Sequence, residues 1–121
     1  ILNDPDIEIN PTCVRVPVLR AHSESINIEF DRPAPSEEAV RDVLAAAPGV
    51  KIVDDREANV FPMPLDASGI DDVLVGRIRR DITNRNAINL FVSGDQLLKG
   101  AALNAVQIGE LVLGITPKLQ A

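Results

Sequence analysis

Apolar and polar residues alternate along several short segments of the chain, a pattern typical of strands that bury one face. Alternation of this kind predicts strands at residues 12–18 and 26–30, and a short β-branched run predicts a third at 50–53. Two further strands are predicted at 73–80 and 87–93, where β-branched residues flank a polar turn. The chain therefore carries enough predicted strands to form a sheet.

Two other segments repeat apolar residues at helical spacing. Ser36 is a suitable N-cap, two acidic residues follow it, and Pro48 with Gly49 ends the helix. Residues 97–114 are apolar on nearly all sides and contain no proline, which predicts the longest helix of the chain. Its apolar arc is wider than one sheet face can cover, so we expect this helix to need a partner surface.

The order of these elements predicts the fold class. A helix and a strand are joined by a short connection only once in this order, which favours an α+β fold over a doubly wound α/β fold. We expect a mixed or largely antiparallel sheet with helices packed on one side. Residues 54–72 combine prolines, a glycine and many acids without periodicity, which predicts a long surface loop. With 121 residues, the chain is expected to form a single domain over 1–121.

Charge and cysteine content narrow the possible functions. The net charge of −6 argues against nucleic acid or an anionic membrane as a partner. One cysteine and one histidine cannot form an intrachain disulfide or a four-ligand zinc site, so no metal is expected. No stretch approaches the uncharged apolar length of a transmembrane helix, and no basic leader opens the chain. We therefore expect a cytoplasmic protein.

His22 and Arg15 are the first candidates for chemistry. His22 lies between two predicted strands, where it is either an acid/base group or a surface histidine without a catalytic task. Arg15 stands among valines, so its guanidinium must reach solvent or pair with a carboxylate. The two positions have opposite parity and would face opposite sides of an unbroken strand. A bulge or edge position near Pro17 must interrupt the strand if both serve one site.

Other candidates have plain structural alternatives. Cys13 lies among valines, which indicates a small buried side chain rather than an activated thiolate. Arg77 and Arg79 share one strand face and can bind an anion, although pairing with nearby acids is the favoured interpretation. Gln96 lies in the turn into the last helix, where it can meet a polar ligand. A simple cap by Asp95 explains that turn equally well.

Three blocks of sequence together resemble the C-terminal part of aspartate-semialdehyde dehydrogenase of the bacterial type. They occur in the right order and spacing and cover essentially the whole chain. The blocks are TCVRVPVLRAHSE at 12–24, VGRIRRD at 75–81 and GDQLLKGAALNAVQI at 94–108.

This resemblance implies an activity and a role for each candidate residue. The family reduces β-aspartyl phosphate to aspartate β-semialdehyde with NADPH, through a thioester on a catalytic cysteine, in lysine, methionine and threonine biosynthesis. By motif, His22 matches the acid/base group and Arg15 the residue that binds the substrate carboxylate. Gln96 matches a position that approaches the NADP cofactor, where many relatives have asparagine. Cys13 matches a position other than the nucleophile.

The resemblance also implies that further parts of the enzyme lie outside this chain. Neither the family's glycine-rich nucleotide-binding domain nor its catalytic cysteine segment has a counterpart in the sequence. The chain also begins without methionine, inside an apolar pair. We therefore expect a substrate-binding and dimerisation portion that is inactive alone, binds a small-molecule substrate and forms a homodimer or larger. Its helix at 97–114 is expected to pack on the nucleotide-binding domain.

Two other interpretations stay open at this point. One is a non-catalytic dimerisation module or a paralogue without the nucleophile. The other is a different dehydrogenase of the same fold, such as N-acetyl-glutamyl-phosphate reductase, in which the spacing from Arg15 to His22 is not expected.

Overall fold

The structure is a computed structural model that describes residues 3–116, which form a four-stranded sheet and three α-helices. The sheet order is β1-β4-β3-β2, with β4 antiparallel to both neighbours and β2 parallel to β3. The sheet is therefore mixed, and the α+β class predicted from sequence is confirmed. In chain order, the elements are β1 (His22–Glu29), α1 (Glu37–Ala45), β2 (Val50–Ile52), α2 (Pro64–Ala67), β3 (Val73–Arg80), β4 (Ala87–Gly94) and α3 (Leu103–Val112).

The longer of the two helices that pack on the sheet, α1, begins where the sequence predicts. Ser36 Oγ accepts a hydrogen bond from the Ala39 N–H at 3.1 Å, which satisfies one of the free donors of the first turn. Through Val40 and Leu44, α1 packs against β2 and β3. The resulting core cluster contains Val75, Ile78 and Leu90, surrounded by Ile26, Val40, Leu44, Val50, Ile52, Val73 and Val92.

The segment 54–72 contains a one-turn helix, α2, that sequence reasoning did not predict. Its Ala67 is fully buried and joins Ala21, Leu74 and Val53 in a second cluster. Leu74 precedes Val75 in β3, and successive side chains of a strand point to opposite faces. The second cluster therefore lies on the face of the sheet opposite α1, so α1 and α2 pack on opposite faces and not on one side as expected. Most of the segment is a loop, as predicted.

A β-bulge interrupts the pairing of β3 with β4 between Gly76 and Arg79. Glycine is required at this point, because a Cβ on Gly76 would lie 2.1 Å from the carbonyl oxygen of Val53. The next residue, Arg77, has a φ of 52°, a left-handed conformation uncommon for a residue with a side chain. The backbone strain at this bulge must therefore be offset by tertiary contacts.

Asp54 supplies those contacts. Its carboxylate accepts hydrogen bonds from the backbone N–H groups of Arg77 at 2.8 Å and Ile78 at 3.2 Å, and it also pairs with the Arg41 guanidinium. Burial raises the pKa of the Asp54 carboxyl, but these donors outweigh it and hold the pKa below its usual range. The bulge is thus held by a charged side chain rather than by ladder bonds.

The predicted strand at 12–18 is wrong. These residues are exposed and form no regular element, and the first strand begins instead at His22. Alternation is not sufficient here, because a strand also needs a neighbour for its backbone groups and Pro17 cannot donate to one. Cys13 is consequently exposed, which corrects its prediction as a buried side chain.

The predicted continuous helix at 97–114 is also wrong. Lys99, Gly100 and Ala101 have non-helical backbone angles, with a φ of 115° at the glycine, and the regular helix α3 begins only at Leu103. Gly100 permits this break, because glycine has no Cβ to oppose a positive φ. Several large apolar side chains of α3 remain exposed, among them Val106, Leu111 and Val112. Among residues 3–116, no helix combines the length and apolar character that a membrane span requires.

Candidate functional site

Arg15, His22 and Gln96 line one cleft at the end of the sheet where β1 begins and β4 ends. The cleft has a volume of about 1010 Å³, and residues of the coil at 12–20 form much of its wall. The structure therefore brings together all three residues that the sequence singled out for binding or catalysis. Cys13 is not among the residues that line it.

A sharp change of backbone direction at Ala21 brings Arg15 and His22 to the same cleft. Ala21 has a φ of 70° and is only 4% exposed, packed in the cluster that contains Ala67. An alanine in the left-handed region costs on the order of 1 kcal/mol, so packing must hold it there. Residues 12–20 form no strand, so the parity of positions 15 and 22 places no constraint on them, and the left-handed turn at Ala21 separates Arg15 from β1.

His22 opens β1 opposite Gly94 and presents an accessible imidazole. Its side chain is 52% exposed, and its Nδ1 lies 3.6 Å from Oε1 of Glu24. His22 and Glu24 share one face of the strand because they are two residues apart. This contact is longer than a hydrogen bond, and the exposed ring is accessible to take or give a proton in the cleft.

Arg15 contributes a guanidinium that no ion pair of the described residues occupies. It is exposed in the coil and lines the cleft. A guanidinium presents a planar fork of donors that fits a carboxylate or phosphate in two parallel hydrogen bonds. Arg15 is therefore suited to hold an anionic group in the cleft that His22 also lines.

Gln96 follows a buried aspartate, Asp95, whose part in the site sequence reasoning underestimated. Asp95 Oδ1 accepts a hydrogen bond from the Leu97 N–H at 3.0 Å, which closes a local turn rather than the predicted helix cap, because the regular helix begins only at Leu103. Its Oδ2 also accepts from the Gly69 N–H at 2.7 Å and lies 2.5 Å from Arg20 Nε. The only sequence signal for this second contact was an arginine two residues before His22, far from position 95.

Asp95 stays ionised despite its complete burial. Burial raises the pKa of its carboxyl, whereas the N–H groups of Gly69 and Leu97 and the Arg20 guanidinium lower it. The lowering contributions prevail, so the pKa lies below its usual range. A fixed negative charge therefore lies directly before Gln96 in the chain and beside Arg20, two residues before His22.

Arg77 and Arg79 lie in a second, smaller cleft of about 240 Å³ beside the β-bulge. The Arg77 guanidinium carbon lies 5.6 Å from the centroid of the Phe61 ring, and Arg79 Nη1 donates to the Arg77 carbonyl at 2.8 Å. The interpretation that both arginines pair with nearby acids is wrong, since the ion pairs found within 3–116 include neither. In the same residues, no group of three histidine, cysteine or carboxylate side chains is placed to hold a metal ion.

The family model described as semialdehyde dehydrogenase, dimerisation domain, matches residues 1–99. This chain belongs to that family. It is 62% identical over 108 residues to the aspartate-semialdehyde dehydrogenase of Synechocystis sp., a match that covers 89% of this chain and 32% of the relative. The corresponding protein of Prochlorococcus marinus is 59% identical over 113 residues, covering 93% of this chain and 33% of the relative.

Solved structures agree with this assignment. Aspartate semialdehyde dehydrogenase II from Vibrio cholerae, solved in complex with ASA, matches with a TM-score of 0.81 and 46% identity, over 93% of this chain and 32% of that one. The chain spans about a third of the length of the curated relatives it matches. The resemblance predicted from the three sequence blocks, to one part of an aspartate-semialdehyde dehydrogenase, is therefore confirmed.

Proposed function

We propose that this chain works as the C-terminal, substrate-binding part of an aspartate-semialdehyde dehydrogenase. That enzyme reduces β-aspartyl phosphate with NADPH, releasing phosphate and aspartate β-semialdehyde. The observation that carries the proposal is the convergence of Arg15, His22 and Gln96 on one cleft. The names of the relatives at 59% and 62% identity support the same reaction.

Arg15 binds the carboxylate of the substrate. The substrate is a small dicarboxylic-acid derivative whose free carboxylate takes no part in the reduction, so it can serve as a handle for orientation. A guanidinium without an intramolecular carboxylate partner is available for this contact. Two parallel hydrogen bonds to one carboxylate also restrict rotation of the bound substrate, which lowers the entropy cost of reaching the reactive geometry.

His22 moves the protons. A catalytic cysteine, carried by the rest of the enzyme, attacks as a thiolate, so its thiol proton needs an acceptor nearby. The imidazole of His22 takes this proton, and it then serves the hemithioacetal step in which an oxygen gains or loses a proton. Glu24, whose Oε1 lies 3.6 Å from Nδ1, is the nearest carboxylate to the imidazolium that forms.

Gln96 contacts the cofactor. Its exposed carboxamide lines the cleft and can donate and accept hydrogen bonds at once, which matches the amide group on a nicotinamide ring. NADP in its reduced form supplies the reducing equivalent of the reaction. Most of the remaining cofactor contacts are expected from a nucleotide-binding domain outside these 121 residues.

The exposed apolar residues of α3 indicate the surfaces at which the chain assembles. Val106 is 59% exposed, Leu111 64% and Val112 80%, which is more apolar surface on one short helix than a protein usually leaves in water. We assign this helix to contact with the nucleotide-binding domain and the sheet to a homodimer, in line with the dimerisation-domain family. We also assign the enzyme to the cytoplasm and to amino-acid biosynthesis.

The test is an assay of the complete enzyme with aspartate semialdehyde, phosphate and NADP, following NADPH formation. Activity that depends on phosphate supports the proposal, and the same enzyme should not accept N-acetyl-glutamate semialdehyde. Absence of turnover would identify the chain as part of a non-catalytic dimerisation module. Preference for the acetylated substrate would assign it to the related reductase.

A further inference from the structure

Asp95 carries a buried charge that the proposed reaction does not use directly. Its side chain is fully buried, while Arg20 on the other side of the ion pair is 38% exposed and lines the cleft. An ionised carboxylate without water is stable only when hydrogen bonds and an opposite charge replace its hydration. Asp95 has both, and its partners come from three separate segments of the chain.

These three segments are the ones that shape the cleft. Arg20 ends the coil that carries Arg15 and precedes the left-handed turn at Ala21. Gly69 follows α2, whose Ala67 packs against Ala21. Leu97 adjoins Gln96 in the turn after β4. Contacts to Asp95 therefore fix the entry to β1 and the exit from β4 relative to each other, at the end of the sheet where His22 lies opposite Gly94.

We infer that Asp95 is a positioning residue, which acts through Arg20 to hold His22 in its reactive arrangement. The inference rests on the proposed function and extends it to a residue that does not line the cleft. Rigid placement matters because a displacement of about 1 Å of a catalytic group can lower the rate by about 100-fold. Without the Arg20–Asp95 ion pair, the strained turn at Ala21 loses the contact that holds the preceding residue in place.

Asp54 provides a matched control. Its side chain is also nearly buried, at 4% exposure, and it also accepts two backbone N–H groups and pairs with an arginine. It holds the bulge in β3 and lines the second cleft rather than the site. Asp54→Asn and Asp95→Asn therefore remove the same kind of charge, and only Asp95→Asn is expected to affect the site.

The experiment is a double-mutant cycle in the complete enzyme. Asp95→Asn should lower kcat by about 10- to 100-fold with a small change in KM, and Asp54→Asn should leave kcat within about twofold. In a His22→Ala background, Asp95→Asn should lower kcat by less than about twofold further, because the imidazole through which Asp95 acts is already absent. An equal fractional loss in both backgrounds would overturn the inference. Arg20→Gln serves the same cycle if Asp95→Asn does not fold.

A second readout separates this inference from the proposed function. His22 is the only histidine of these 121 residues, and in the complete enzyme its imidazole NMR signal is identified as the one that His22→Ala removes. Asp95→Asn should shift or broaden that signal, whereas Asp54→Asn should leave it unchanged. An inactive complete enzyme with a perturbed imidazole would refute the proposed reaction and retain the positioning role. An unperturbed imidazole would refute the positioning role even in an active enzyme.

Discussion

Asp54 and Asp95 are two buried carboxylates with the same kinds of partner, Asp54 beside the β-bulge and Asp95 next to the cleft that contains His22. Each lies just after a strand, accepts two backbone N–H groups and pairs with an arginine. Asp54 offsets the strain of a bulge, so its charge serves the fold. Asp95 joins the segments that carry His22 and Gln96, so its charge serves the site. The comparison teaches that a buried ion pair acquires functional meaning from the segments it joins, not from its own geometry.

The largest effect is expected from His22→Ala in the complete enzyme. Removing the imidazole should lower kcat by roughly 10²- to 10⁴-fold with a smaller change in KM, because proton transfer is lost while substrate contacts remain. Steady-state kinetics at saturating cofactor measures both constants. A kcat within a few-fold of the parent enzyme would show that His22 is a surface histidine.

The bulge supported by Asp54 is best tested with Gly76→Ala. The new Cβ would lie 2.1 Å from the Val53 carbonyl oxygen, so the backbone must move, at a cost of about 1–3 kcal/mol. Gly109→Ala is the matched control, since no atom lies within 4 Å of its Cβ position in α3. That control should gain about 0.5–1 kcal/mol. Denaturant unfolding that gives both variants the same change would contradict the close approach at Gly76.

Acid should destabilise the protein through both aspartates. Each has a folded-state pKa below its usual range, so its contribution is present above the unfolded pKa of about 3.9 and is lost as pH falls through the folded value. Asp54→Asn and Asp95→Asn should each make the melting temperature less sensitive to pH on the acid side. If the melting temperature of both variants falls with acid as steeply as that of the parent, other carboxylates determine the acid sensitivity.

The smallest effect is expected at the second cleft. Phe61→Leu removes the ring beside the Arg77 guanidinium and should cost about 0.5–1 kcal/mol beyond the loss of packing, because the cation–π contact is partly exposed. The same substitution at Phe30, which is 36% exposed and is not the ring in that contact, measures the packing component. Equal losses of unfolding free energy at the two positions would show that the cation–π contact does not contribute.

Local patterns predicted the elements whose determinants lie within a few residues. The Ser36 cap, the strands at 73–80 and 87–93 and the loop at 54–72 are of this kind. The segment 12–18 alternates equally well but has no strand beside it, and the break at Gly100 interrupts an apolar pattern that looks continuous. Pairing partners are decided by the whole sheet, so alternation alone does not supply them.

The site was accessible from sequence only in part. Arg15, His22 and Gln96 were candidates because of their chemistry, motif resemblance gave each a role, and the structure places them along one cleft. The left-handed conformation of Ala21 had no sequence signal, since alanine rarely adopts it and the residues packed around it, Ala67 and Leu74, are distant along the chain. The contact of Arg20 with Asp95 was missed for a similar reason, because it joins residues distant along the chain.

The central claim is that substrate binds in the cleft of Arg15 and His22 rather than beside the bulge. Its most direct test is the KM for aspartate semialdehyde in the complete enzyme with Arg15→Lys or Arg77→Lys. Lysine keeps the charge but loses the two-pronged contact, so Arg15→Lys should raise KM by about 10-fold or more while Arg77→Lys stays within about twofold. A raised KM for Arg77→Lys with an unchanged KM for Arg15→Lys would contradict the account.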